Sequence, residues 1–303
     1  MKRAVLTIAT LIASSCAAAQ QPEVTIKIEK LVPGVAVLFG QGGNIGVSYG
    51  PDGTVLIDDQ FAPLTPKIQA AVTELGATPV KFLINTHWHG DHSGGNENLG
   101  KAGAIIMAHD NVRVRMSAGG VSGAGTSGAR NIVPAPAVAL PVVTYQDGIK
   151  LYLNGDEVRT IHMNAAHTDG DSIVIWKKAN VVHMGDLFMT QGSLPFVDLN
   201  SGGDARGFLA AAEAVLAMTD ANTKIIPGHG PMADQAKLIA WRDMLKSVIG
   251  SVSAGIKAKK TLAEIKATKP AARWEVKGQF ISGDAFVEAV YKSLTAPKPH
   301  SHH

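Results

Sequence analysis

Residues 86 to 96 read ThrHisTrpHisGlyAspHisSerGlyGlyAsn, and the spacing of four side chains within them restricts what the chain can fold into. His87 and His89 lie two apart, so on an α-helix they would diverge by roughly 200°. Asp91 and His92 are adjacent and diverge as well. A loop leaving a strand can instead bring alternating side chains onto one cavity. Gly90, Gly94 and Gly95 allow the backbone angles such a loop requires. The reading is a strand over 80–85, a ligand-bearing loop, and a helix starting near Asn96.

Imidazole nitrogens with a carboxylate suit Zn²⁺, with Fe or Mn as substitutes. Four donors within six residues do not close one tetrahedron easily, so two metals sharing the loop is the simpler solution. Such a site needs more donors, and three polar residues stand just past apolar strands, where loops present functional groups. These are His167 in AlaAlaHisThrAspGlyAsp, Asp186 in HisMetGlyAspLeuPhe and His229 in IleProGlyHisGlyPro. His162 and His183 fall inside strand patterns and read as structural or supporting histidines, and His109 as a helix cap. His300, His302 and His303 lie in a polar tail and receive no role.

The remaining sequence supplies the scaffold. Short apolar stretches broken by glycine, over 35–39, 46–49 and 54–58, read as strands of a meander. A helix follows over 63–75, a strand over 104–108 and a short helix over 109–117. Strands resume at Thr144 and run over 148–153, 158–163, 172–176 and 180–184. Then come a helix over 205–218, a strand over 223–227, a long helix over 233–253 and a last helix near 285–294. Strands then helix, repeated once, is not the alternation of a doubly wound sheet. It indicates an α/β chain of two half-units, each a sheet with helices outside, stacked as a four-layer αβ/βα sandwich. Residues 117–141 are dominated by Gly, Ser, Ala and Pro and read either as a flap over the site or as disorder.

At 303 residues and 46% hydrophobic, the chain can bury a substantial core. Its net charge of +3 gives no electrostatic case for a nucleic-acid partner. MetLysArg, an apolar run over 4–13 and SerSerCysAlaAlaAlaGln read as a signal peptide over 1–19, cut after Ala19. The expected location is periplasmic or secreted, with no membrane-spanning segment once the signal is removed. A lipoprotein anchor at Cys16 is the lesser alternative, because Ala13 stands where leucine is usual. The expected organisation is one domain over 20–303 with a helical extension from about 250. Cys16 is the chain's only cysteine, so the mature protein has no thiolate ligand to offer.

From about Val32 to Pro231 the chain resembles the metallo-β-lactamase-fold hydrolase superfamily. The resemblance rests on Asp58 in LeuIleAspAsp, the HisXHisXAspHis run, His167, the Gly-Asp pair at Asp186, and His229. It implies the αβ/βα sandwich with two Zn²⁺ at one edge. His87, His89 and His167 would bind the first zinc, Asp91, His92 and His229 the second, and Asp186 would bridge them. Asp58 would orient the ligands through hydrogen bonds. Lactamases with a cysteine ligand carry it where this chain has Asp186, which excludes that branch. An Asp bridge resembles the glyoxalase II and lactonase branches. Flavodiiron proteins typically have glutamate where His89 stands, which favours zinc.

The resemblance implies hydrolysis of an ester, lactone, thioester or amide of a small-molecule substrate by a metal-bridging hydroxide, with Asp91 as proton shuttle. A true β-lactamase is one alternative. An iron-containing redox protein of the same fold is another, and a non-catalytic metal-binding protein a third. Nothing in the sequence sets an oligomeric state.

Overall fold

The computed structural model describes residues 23–77, 79–123, 129–192 and 194–296. The expected signal segment, Cys16 and the tail histidines lie outside the described residues. The first half of the chain contains β1 (Lys27–Val32), β2 (Val35–Phe39), β3 (Ile45–Ser48), β4 (Thr54–Ile57), α1 (Thr65–Glu74) and β5 (Val80–Ile84). It continues through α2 (Gly90–Ser93), α3 (Asn96–Lys101), β6 (Ile105–His109), α4 (Asp110–Ala118), β7 (Gly120–Ser122), β8 (Arg130–Ile132) and β9 (Val143–Tyr145). The second half contains β10 (Gly148–Leu153), β11 (Asp156–His162), β12 (Ser172–Trp176), β13 (Val181–His183), α5 (Ala205–Met218) and β14 (Lys224–Ile226). Helices α6 (Gln235–Lys257), α7 (Leu262–Ala267) and α8 (Gly283–Thr295) close the described chain. Helix α6 is continuous through position 250.

Strands β1 to β6 and β9 form one sheet in the order β1-β2-β3-β4-β5-β6-β9, and β10 to β14 form a second in sequence order. Each sheet begins as an antiparallel meander and turns parallel where a helix intervenes: β4 to β5 in the first, β13 to β14 in the second. Side chains alternate across a strand, and here the alternation sorts them into separate cores. Ala36, Leu38, Leu56 and Leu83 pack with Ile68 and Val72 of α1, outside the first sheet. Their neighbours Val37, Val55, Ile57 and Ile84 pack instead with Val158, Val174, Trp176 and Val181 of the second sheet. Ile173, Val182 and Ile225 face the other way, onto Phe208 of α5, Leu245 of α6 and Phe286 of α8. Three apolar interfaces separate four layers, so the chain is an αβ/βα sandwich of the α/β class, as expected from the sequence.

The structure departs from the sequence reading in four places. The amphipathic strand β1 pairs with β2 at the sheet edge although its segment LysIleGluLysLeuVal is half charged. A one-turn helix, α2, interrupts the ligand loop before α3. The described residues within 117–141 are more ordered than a structureless flap, because β7 and β8 pair as an antiparallel hairpin and Ala137–Ala139 forms a 3-10 turn. Helix α7 is the fourth: Thr261 caps it, with Glu264 completing a reciprocal capping box. Among the described residues, no helix is long and apolar enough to cross a membrane.

Candidate metal centre

Strand β5 ends at Ile84, and after Asn85 the run ThrHisTrpHis leaves the sheet. In the second sheet, His167 lies on the loop from β11 to β12, Asp186 in the short 3-10 turn after β13, and His229 just past β14. All seven candidate donors meet at one edge of the sandwich, where both sheets end. Three of their groupings could each hold a metal ion: His87 with His89 and His167; His87 with His92 and Asp186; and Asp91 with His92 and His229.

The surrounding hydrogen bonds decide which nitrogen of each imidazole faces inward. A carboxylate or carbonyl only accepts, so a ring nitrogen bonded to one must carry the proton. His92 Nδ1 donates to Asp58 Oδ2 at 2.8 Å, leaving Nε2 turned inward. His167 Nδ1 donates to the Phe196 carbonyl at 2.7 Å. His89 is reversed: its Nε2 donates to Asp198 Oδ2 at 2.9 Å and Nδ1 turns inward. Thr86 Oγ1 donates to Asp58 Oδ2 at 2.8 Å and so receives the proton of His87 Nδ1 at 3.0 Å. The Nε2 of His87 is then buried with no hydrogen-bond partner among the described residues.

This pattern fits a cation. His89 Nδ1 and His167 Nε2 approach to 2.8 Å, each with its proton committed to the opposite side of its ring. Two lone pairs facing one another without a proton repel unless a positive charge lies between them. Asp186 faces both halves of the site. Its Oδ1 lies 3.1 Å from His92 Nε2 and 3.3 Å from His229 Nε2, while Oδ2 lies 3.6 Å from His167 Nε2. Asp91 Oδ2 is 3.2 Å from His229 Nε2. The residues present therefore match the needs of divalent metal in donor type, tautomer and direction.

Titration follows the same geometry. Burial, aided by the neighbouring imidazoles, holds His87 well below its ordinary value and lowers His167 to about 4. Burial also works against protonation of His229, but the charge of Asp186 and the bonds to Asp186 and Asp91 outweigh it, raising His229 to about 9. His92 is raised for the same reasons, with Asp186 the strongest of its carboxylate neighbours. For Asp186, burial is outweighed by His229 and His92, which hold the carboxyl well below the usual range.

Two glycines make the close packing feasible. A Cβ on Gly228 would strike Asp186 Oδ1, and one on Gly43 would strike the ring of His92. Asp58 itself takes φ +65°, a conformation that costs a non-glycine residue roughly 1–3 kcal/mol. Its side chain there receives both the Thr86 amide, at 2.7 Å, and the Thr86 hydroxyl.

Sequence reasoning passed over Asp198. This buried carboxylate accepts from His89 Nε2, from Ser122 Oγ at 3.0 Å, from the Gly123 amide at 3.0 Å and from Ser201 Oγ at 2.5 Å. It joins a donor of the cluster to the β7–β8 hairpin. His109, by contrast, caps α4 through the Asn111 amide as expected. His183 donates from Nε2 to the Asn44 carbonyl at 2.9 Å, away from the cluster. A cavity of about 750 Å³ opens above the donors, walled by Asp91, Asp186 and His229 at its base, by the hairpin, and by Phe280 from the C-terminal segment.

The Metallo-beta-lactamase superfamily profile matches residues 39–229. A Beta-lactamase-like protein 2 homolog of Caenorhabditis elegans is 24% identical over 221 residues, covering 69% of this chain but 65% of that protein. The Metallo-beta-lactamase type 2 of Bacillus cereus is 25% identical over 197 residues, covering 64% of this chain and 69% of that one. Among solved structures, a metallo-β-lactamase from Pontibacter korlensis superposes with a TM-score of 0.61 at 18% identity, over 73% of this chain and 99% of that one. A stereoselective inverting sec-alkylsulfatase from a Pseudomonas species superposes with a TM-score of 0.67 at 17% identity, over 89% of this chain and half of its own length. With its profile matched over most of the chain and its His and Asp clusters assembled where the two sheets end, this protein belongs to the metallo-β-lactamase superfamily.

Proposed function

We propose that the chain is an exported dinuclear zinc hydrolase that cleaves a carbonyl-centred bond in an ester, lactone, thioester or amide. The observation that carries this reading is Asp186, whose two oxygens face different histidine groups. His87, His89 and His167 would hold one ion, Asp91, His92 and His229 the other, with Asp186 between them. A divalent cation, when bound, supplies Lewis acidity: it acidifies water and polarises a carbonyl oxygen.

The chain's own residues supply orientation and proton movement. Asp58 fixes the ring of His92 directly and that of His87 through Thr86, while Asp198 fixes His89. The outward nitrogen of each of these rings is thereby committed, so the opposite nitrogen faces the cluster. Asp91 is the most open carboxylate of the cluster, with 30% of its side chain exposed. It lines the cavity, and although burial raises its pKa, the charge of His92 and the bond to His229 outweigh that and keep it ionised. An ionised, cavity-facing carboxylate is placed to accept a proton from the attacking water and pass it to the leaving group.

The test combines metal analysis with a panel of nitrocefin, an acyl-homoserine lactone, S-lactoylglutathione and a phosphodiester. The expected result is about two zinc ions per chain and turnover of a carbonyl substrate that is lost with EDTA. Asp91→Ala should lower kcat at least about a hundred-fold. Iron in the purified protein, with visible absorbance, would overturn the zinc hydrolase reading. Similarity to the Bacillus cereus enzyme supports the narrower reading of a β-lactamase. Nitrocefin turnover abolished by Asp91→Ala establishes it, and inert β-lactams remove it. Export predicts a mature N-terminus at Gln20, read by sequencing the protein from the periplasm or medium.

A further inference from the structure

The cavity above the donors has walls of unlike chemistry. Facing the acidic base stand Phe61, Ile132, Phe196 and Phe280. Three of them keep surface open to water: Phe61 and Ile132 are each 36% exposed and Phe280 58%. Large apolar side chains left open around one hollow mark a surface that binds something apolar.

Among the described residues, one Lys or Arg side chain lines this cavity, Arg130. The register of the hairpin fixes its direction. Arg130 pairs across the ladder with Ser122, and Ile132 with Gly120. Cross-strand partners project from the same face of a sheet. Ser122 Oγ reaches Asp198 Oδ2, the same oxygen that accepts from His89. Arg130 and Ile132 therefore hang from the side of the hairpin that looks towards the histidine cluster.

Among the described residues, Arg130 forms no ion pair. It is exposed, and the arginine ion pairs among the described residues involve Arg115, Arg206 and Arg242 instead. Glu97, which also lines the cavity, is engaged by Lys101 at 2.5 Å.

We propose that this cavity takes a substrate with an apolar body and one anionic group, a carboxylate or a sulfate. The anionic group pairs with Arg130, and the body lies along Ile132, Phe196 and Phe280. The proposal rests on the hydrolase reading above and narrows it. Away from the donors, Arg130 is the one Lys or Arg side chain among the described residues on these walls and Glu97 is the acidic one, which favours a ligand whose body carries a single anionic group.

Two experiments test it. The first compares a neutral ester, 4-nitrophenyl butyrate, with mono-4-nitrophenyl glutarate, which carries a terminal carboxylate. Arg130→Gln should raise KM for the charged ester roughly five-fold, an effect suited to a partly exposed ion pair. Its kcat and both constants for the neutral ester should stay within about two-fold. Arg130→Lys should recover part of the loss. The second is a calorimetric titration of octanoate, octyl sulfate and neutral octanamide into wild type and Arg130→Gln. Tighter binding of either anion than of octanamide, lost in Arg130→Gln, supports the proposal, and the stronger of the two anions names the group. Equal binding of all three, or anion binding that survives Arg130→Gln, overturns it. If neither these esters nor any substrate of the panel above is cleaved, yet octanoate binds through Arg130, the hydrolase reading fails and the anion subsite stands. If both esters are cleaved with the same constants in wild type and Arg130→Gln, the subsite fails and the hydrolase stands.

Discussion

Asp198 shows how one side chain can serve two structures. Its Oδ2 receives the His89 ring and the Ser122 hydroxyl, and its Oδ1 the Gly123 amide. Only an acceptor with several lone pairs can satisfy so many donors, which is the property an amide loses in part. Asp198→Asn should therefore free the His89 ring and lower metal affinity at the His87–His89–His167 group by roughly 10- to 100-fold. Competition against a chromophoric chelator measures this, and an unchanged affinity would sink the positioning role. The residue was not legible in the sequence. It sits in PheValAspLeuAsnSer, which follows no strand and carries no spacing signal, and His89 is 109 positions away. The seven candidate donors, which the structure brings together, could be picked out because each stands just past a strand, where backbone pattern and ligand chemistry coincide. Asp58 was read only through a family resemblance, since its φ of +65° and its link to Thr86 have no local signature.

At the level of elements, the β7–β8 hairpin is the part whose composition misled. Gly, Ser and Ala lack the β-branched and aromatic content that marks strands, so 117–141 read as a flap or as disorder. Order comes instead from tertiary anchors, namely the Asp198 bonds to Ser122 and Gly123 and the Asn111 and Arg115 bonds from the neighbouring α4 to Asp169. The same reasoning predicts what severing an anchor does. Gly123→Pro removes the amide that Asp198 accepts from, and Gly123 stands at φ +77°, which proline cannot adopt. The hairpin should loosen while the donors, held from other elements, stay in place. KM for a cleaved substrate should rise several-fold, roughly 1 kcal/mol of lost binding, with kcat changed little. A fall in kcat with KM constant would show that the hairpin shapes the reacting centre instead. Helix α7 escaped the reading because six residues are too few to display a helical period, and β1 because charged residues filled its solvent-facing positions.

On the scale of the whole molecule, the site is a clasp between two sheets whose shared interface is mainly apolar, with polar ties such as Asn44 to Pro227 and Tyr145 to Ser172 beside it. His87, His89, Asp91 and His92 follow a strand of the first sheet, while His167, Asp186 and His229 follow strands of the second. In the metal-free protein, protons on His229 and His92 stand in for the cation. His229 is raised from 6.5 to about 9, so its contribution to stability is full below pH 6.5 and is lost as pH rises through 9. Buried Asp171 acts in the same direction. Desolvation raises it to about 8 against the Thr168 and His167 donors, so the native state keeps a proton that the unfolded chain has released. The melting temperature of the metal-free protein should accordingly fall from pH 7 to 9.5. The slope should flatten when metal is bound, because metal displaces the imidazole protons. A metal-free Tm that is flat or rises over this range would refute the proton clasp. Metal removal at pH 7 follows from the same architecture. A ligand present at about a thousand times its Kd adds about 4 kcal/mol to native stability, and a chain of this size shifts by roughly 2–4 °C per kcal/mol. Chelation should then lower Tm by roughly 10 °C. It should leave the far-UV circular dichroism unchanged, because the three apolar cores are built without the donors. Re-addition of zinc should restore both Tm and turnover in parallel. A chelated protein that melts where the untreated one does would mean that the seven donors hold no metal across the two sheets.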